Sequence, residues 1–181
     1  MGIKNQIITK SLESGDLKIS GYASVFNVVD LYRDIIEAGA FTETIASNKS
    51  IKLLWQHDIR DPIGRIDNLK EDSTGLYMDA VITSGTNKGR EAIDLIKKNI
   101  INGLSIGFNI NTYYTKPDGV RVITSINLWE ISVVTFPANL SASILENHKN
   151  NKLYNILSEA ENLIRLINQK VKNGRISNKS R

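Results

Sequence analysis

A serine enclosed by two glycines, Gly103-Leu104-Ser105-Ile106-Gly107, spells the G-x-S-x-G pattern in which many hydrolases carry a nucleophile. A serine hydroxyl attacks a carbonyl only when a base takes its proton and a third group orients that base. Two histidines are on offer, His57 and His148. Ser105, Glu130 and His148 imitate the serine–acid–histidine order of the α/β-hydrolases. That arrangement needs a strand before the serine and a helix directly after it. Here the helical pattern precedes Ser105, and the following FNINTYY alternates as a strand does, so the elbow is rejected. His148 lies in ENHKNN, a polar stretch that reads as an exposed linker with nothing to aim an imidazole.

His57 ends the period-two face of Ile51, Leu53 and Trp55 in SIKLLWQHD. In one reading it is a satisfied core residue; in the other it is a half-buried imidazole suited to general-base chemistry. Along the strand of Ser105, Leu104, Ile106, Phe108 and Ile110 form the apolar side, with Ser105, Gly107 and Asn109 opposite. Gly107 either leaves room for a peptide beside the hydroxyl or marks a bulge. In NLWEISVVTF, alternation places Glu130 with Leu128, Ser132, Val134 and Phe136, the only charge on that face. A buried carboxylate needs a partner. A structural salt bridge would satisfy it; so would a hydrogen bond from His57, which would fix the imidazole tautomer. Asp58 competes, but as the strand neighbour of His57 it points to the other face, which favours Glu130.

These side chains need a β framework. From residue 6 to about 140, short β-branched or aromatic runs alternate with Asn, Asp and Gly clusters, the pattern of a mostly antiparallel sheet or barrel. Two helical windows interrupt it, AFTETIASN and NKGREAIDLIKKNI, the second with Ala92, Ile93, Ile96 and Ile100 on one stripe. The fold class expected is mostly β with flanking helices (α+β). The expected organisation is a barrel domain over 1–144, a polar linker over 145–152, an amphipathic helix over 153–173 and a disordered basic tail over 174–181. The helix carries Leu153, Leu157, Ala160, Ile164, Ile167 and Val171 as an apolar seam, for the barrel or for a partner.

The 181 residues suit one domain with an appendage, and 41% apolar with 23% charged residues is ordinary for a soluble protein. The absence of cysteine removes disulfides, thiolate nucleophiles and thiolate metal sites, and two histidines make a zinc site unexpected. Neither a signal peptide nor a run of eighteen apolar residues is present, and Gln6 stands where a myristoylation signal wants Ser or Thr, so a cytosolic protein without a membrane role is expected. Of the net charge of +4, residues 147–181 contribute +6 and the first 146 contribute −2. A general nucleic-acid binder would spread basic residues over its folded part, so no specific nucleic-acid partner is expected.

Six segments, GYASVFNVVD, DIIEAGAF, LLWQHD, PIGRI, GLSIGF and LWEISVVTFPAN, follow one another between Gly21 and Ile144. In this order the chain resembles the prohead (procapsid maturation) proteases of tailed bacteriophages, a family similar in fold to the herpesvirus assemblins. The resemblance implies an antiparallel β-barrel of herpesvirus-protease type with a serine nucleophile on a strand. Its motifs fall on His57, Ser105 and, as the acid, Glu130. Arg33 before Asp34 and Ala38 before Gly39 depart from its pattern, where many relatives have Gly and Pro. The resemblance also implies a cofactor-free enzyme inside the immature procapsid in the host cytoplasm. Its substrates would be the major capsid protein, scaffold and its own chain, and it would work as a homodimer. A non-catalytic capsid-assembly scaffold protein is the alternative, and a small-molecule esterase a third reading.

Overall fold

Seven runs of alternating apolar residues close on themselves in the computed structural model, which describes residues 9–47 and 49–144. Around the barrel come β2 (Leu17–Val25), β6 (Gly75–Ile82), β5 (Asp58–Glu71), β4 (Lys52–Trp55), β8 (Arg121–Val134), β7 (Gly103–Thr115) and β9 (Ser143–Ile144). β9 pairs with β7 on one side and β2 on the other, which completes the ring. β1 (Lys10–Ser11) adds to β2, and β3 (Asp34–Ile36) runs parallel to the start of β8. The mostly β barrel expected from the sequence is what forms, and one of its seams is parallel, β4 with β8. A parallel pair needs a long crossover, and β5, β6 and β7 all intervene between those two strands. The expected linker, C-terminal helix and tail (145–181), with His148, lie outside the described residues.

The barrel interior is filled by one apolar cluster that includes Leu17, Leu53, Ile63, Met78, Leu104 and Ile131, each 1% exposed or less. Closure at β9 is tight: a side chain on Gly21 would lie 2.9 Å from both Ile144 Cα and Leu104 Cδ1.

The expected helices form within their windows as α1 (Thr42–Ala46) and α2 (Asn87–Lys97). Thr86 caps α2 by accepting a 3.0 Å hydrogen bond from the Gly89 amide. Ala92, Ile93 and Ile96 are buried, as the stripe predicts, but Ile100 is 62% exposed. The helix ends at Lys97 and Asn99 takes a positive φ of 54°, so the stripe stops before Ile100.

A second correction matters more. The β7–β8 register passes from Gly107↔Glu130 to Phe108↔Leu128, leaving Trp129 as an extra residue in a bulge. The bulge resets the alternation: Leu128, Ile131 and Val133 all join the core. Glu130 and Ser132 therefore do not share the face of Leu128, and Phe136 lies past the strand end, 86% exposed.

Candidate active site

β4 and β5 are joined by two residues, Gln56 and His57, with φ of 53° and 62° between the paired Trp55 and Asp58. This is the hairpin geometry that normally favours Asn and Gly. His57 is therefore a turn residue and does not extend the strand face of Leu53 and Trp55. A left-handed conformation costs a residue with a Cβ roughly 1–2 kcal/mol, and β8 offsets the cost with hydrogen bonds. The Gln56 amide donates to Val133 O at 3.0 Å, and the His57 amide donates to Ser132 Oγ at 3.1 Å. The Gln56 side chain donates to Thr135 Oγ1 at 2.8 Å and accepts from the Thr135 amide at 3.2 Å.

Held this way, the imidazole reaches Glu130. His57 Nδ1 donates to Glu130 Oε1 at 2.6 Å, and the Ser132 hydroxyl donates to Oε2 at 2.6 Å. Both carboxylate oxygens thus have partners, as a residue only 7% exposed requires. Hydrogen bonds to a charged group are worth about 1.5–3 kcal/mol each, so the cluster fixes the acid firmly. Gly107 faces Glu130 across the β7–β8 pair, and a Cβ there would collide with the carboxylate. The space at Gly107 therefore belongs to the acid, not to an approaching peptide.

Ser105 is the cross-strand partner of the fully buried Ser132 and is itself 7% exposed. Ser105 and Gly107 on β7 and Glu130 and Ser132 on β8 thus form one patch of the sheet. Ser105 and His57 line the same cavity of about 500 Å³. Among the described residues, no hydrogen bond joins the Ser105 hydroxyl to the imidazole. Asp58, the competing acid, is turned to Arg60: its Oδ1 accepts from the Arg60 amide at 2.9 Å and from Nε at 3.0 Å, and its Oδ2 accepts from Nη2 at 2.7 Å. The bond from the guanidinium holds the Asp58 carboxyl down at about 2.

The cavity continues past Asp30, Leu31, Tyr32 and Phe136, three of them large apolar or aromatic side chains more than 60% exposed. Burial pushes the Asp30 carboxyl above its ordinary value, against the pull of the Asp34 and Tyr32 amides that donate to its Oδ1. This wall is tied to the barrel by a two-pronged ion pair, Arg121 Nε and Nη2 to Asp34 at 2.7 and 2.6 Å. Arg33 takes a φ of 63°, the left-handed conformation that favours glycine. Ser132 and the Gln56–Thr135 clasp escape sequence reasoning. The available signal for Ser132 is its position two residues after Glu130, hence on the same strand face.

The barrel and its hydroxyl, imidazole and carboxylate can be set beside known proteins. The bacteriophage T4 capsid assembly protease, gp21, shares the fold, with a TM-score of 0.57 at 17% identity over 74% of this chain and 93% of that one. Residues 5–156 match the model of the Caudovirus prohead serine proteases, and the chain belongs to that family. It is 37% identical over 129 residues to the prohead protease of Enterobacteria phage HK97, covering 68% of this chain and 57% of the relative. It is also 31% identical over 143 residues to the capsid polyprotein of Pseudomonas phage PAJU2, covering 75% of this chain and 20% of that protein. The chain thus spans little more than half of the first relative and a fifth of the second.

Proposed function

We propose that this chain is the serine endopeptidase of procapsid maturation, with Ser105 as nucleophile, His57 as general base and Glu130 as the acid that orients the imidazole. The observation that carries the reading is the 2.6 Å hydrogen bond from His57 Nδ1 to Glu130 Oε1 beside a cavity that Ser105 also lines. With Nδ1–H committed to the carboxylate, Nε2 is the basic nitrogen. Ser105 Oγ attacks a peptide carbonyl as its proton passes to Nε2. The proton then goes to the departing amine, and water releases the acyl group by the same route. Glu130 stabilises the imidazolium formed in each step. Hydroxyl, imidazole and carboxylate suffice, so the reaction calls for no metal or cofactor. A hydroxyl and imidazole that are not yet hydrogen-bonded are compatible with this chemistry, because such contacts tighten when substrate binds.

The substrates are the major capsid protein, scaffold and the chain itself. This reading is supported by family membership and by relatives named prohead protease and capsid polyprotein. The place of action is the immature procapsid, and a homodimer is the working form. No helix among the described residues is long and apolar enough to cross a membrane. Replacing Ser105 or His57 by Ala should lower self-cleavage or capsid-protein cleavage by several orders of magnitude, roughly 10³-fold or more. His148→Ala should process normally. Normal processing by Ser105→Ala, or a dead His148→Ala, would end the proposal. A fluorophosphonate probe separates it from the scaffold alternative, since a purely structural protein does not label at Ser105. Turnover of simple esters with no cleavage of capsid protein would favour the esterase reading.

A further inference from the structure

Ser132 is fully buried and is not one of the three reacting groups, yet its hydroxyl touches two parts of the site at once. It accepts the His57 backbone amide at 3.1 Å and lies 2.6 Å from Glu130 Oε2. An amide can only donate, so the hydroxyl proton of Ser132 is directed to the carboxylate. The chain of bonds then closes on itself: His57 amide to Ser132, Ser132 to Glu130 Oε2, Glu130 Oε1 to His57 Nδ1.

From this ring we infer that Ser132 is a positioning residue for catalysis, setting the rotation of the Glu130 carboxylate and the place of the His57 turn together. The inference rests on the assignment of Ser105, His57 and Glu130 given above. Three physical points carry it. The turn that holds His57 is intrinsically unfavourable at two non-glycine residues, so its placement depends on its bonds to β8. Glu130 ends in two oxygens that a carboxylate can swap or twist, and only a donor on Oε2 keeps Oε1 aimed at the imidazole. The donor is placed by the backbone ladder, since the β7–β8 pairing sets Ser132 opposite Ser105. A one-ångström error in the imidazole is enough to cost about 100-fold in rate, so a group that removes this freedom acts on the chemical step and leaves binding alone.

The test uses the whole chain and a fluorophosphonate probe, whose fluoride leaves as the bond from Ser105 Oγ to phosphorus forms. The maximal labelling rate and the half-saturating probe concentration are measured for wild type, Ser132→Ala, Ser132→Cys and Ser105→Ala. In Ser132→Ala the maximal rate should fall about 10–100-fold, the size of loss seen when the hydrogen-bond partner behind a metal ligand is removed. Half-saturation should stay within about twofold, the mark of a group acting on the step rather than on binding. The low-field proton resonance of His57 Nδ1, told apart from His148 by His148→Ala, should be present in wild type and Ser105→Ala and displaced in Ser132→Ala. Should Ser132→Ala fail to fold, Ser132→Cys decides, because it keeps the shape of the side chain with a slightly larger atom and donates only weakly. It should label more slowly, with the resonance displaced. Wild-type labelling and an unmoved resonance in the folded variant overturn the role of Ser132, provided Ser105→Ala is inert. Labelling of Ser105→Ala at the wild-type rate instead overturns the assignment of the nucleophile.

Discussion

Glycine at position 107 is what the acid at position 130 requires. The two face each other across β7 and β8, and the carboxylate fills the volume that a Cβ would need. Gly107→Ala should fold, since the strand accepts alanine, but should swing the carboxylate and cut fluorophosphonate labelling by about 100-fold. Asp58, next to His57 in sequence, offers a quieter check. Its carboxyl sits at about 2, below the ordinary carboxylate range, because Arg60 binds it. A depressed folded-state value means that the pair stabilises the fold above the ordinary carboxylate range and that this contribution is lost as pH falls through about 2. An NMR titration should find the Asp58 midpoint near that value, and Arg60→Gln should bring it back up towards 3.8. Residue type and the family motifs single out His57, Ser105 and Glu130, but the strand faces that alternation assigns to His57 and Glu130 are not the ones they occupy. The purpose of Gly107 and Ser132 is not legible there, because it arises from cross-strand register, and one bulge residue at Trp129 decides that register.

Elements were legible where one local signal dominates. The run GLYMDAVIT becomes β6, and NKGREAIDLIKKNI becomes α2, which stops at Lys97, short of the window's end. Thr86, the cap of α2, supports a prediction at this scale. Thr86→Ala removes the 3.0 Å bond from the Gly89 amide and should lower stability by about 1 kcal/mol in a urea titration, with labelling at Ser105 unchanged. The turn at Gln56-His57 was not legible, since neither residue advertises a positive φ and the conformation is imposed by β8. The parallel β4–β8 seam was hidden for a related reason: hydrophobic pattern shows that a strand exists but not which strand lies beside it. That seam is also what brings His57 to Glu130, because Trp55 at the end of β4 pairs with Val133, next to Ser132.

For the molecule as a whole, the ring of strands is completed near the end of the described chain. Among the described residues, Ser143 and Ile144 bridge β7 to β2, helped by the Leu104 amide on Ala142 O at 3.2 Å and the Ile144 amide on Asn102 O at 2.8 Å. A chain ended after residue 141 loses both pairings and should therefore lose cooperative thermal unfolding and labelling at Ser105, which scanning calorimetry with the probe would show. Ser143 and Ile144 thus act as the clasp of a cylinder, held by β7 on one side and β2 on the other. A cut on the amino side of that clasp would spring the staves apart, so any carboxyl-side trimming that spares the barrel has to stop beyond Ile144.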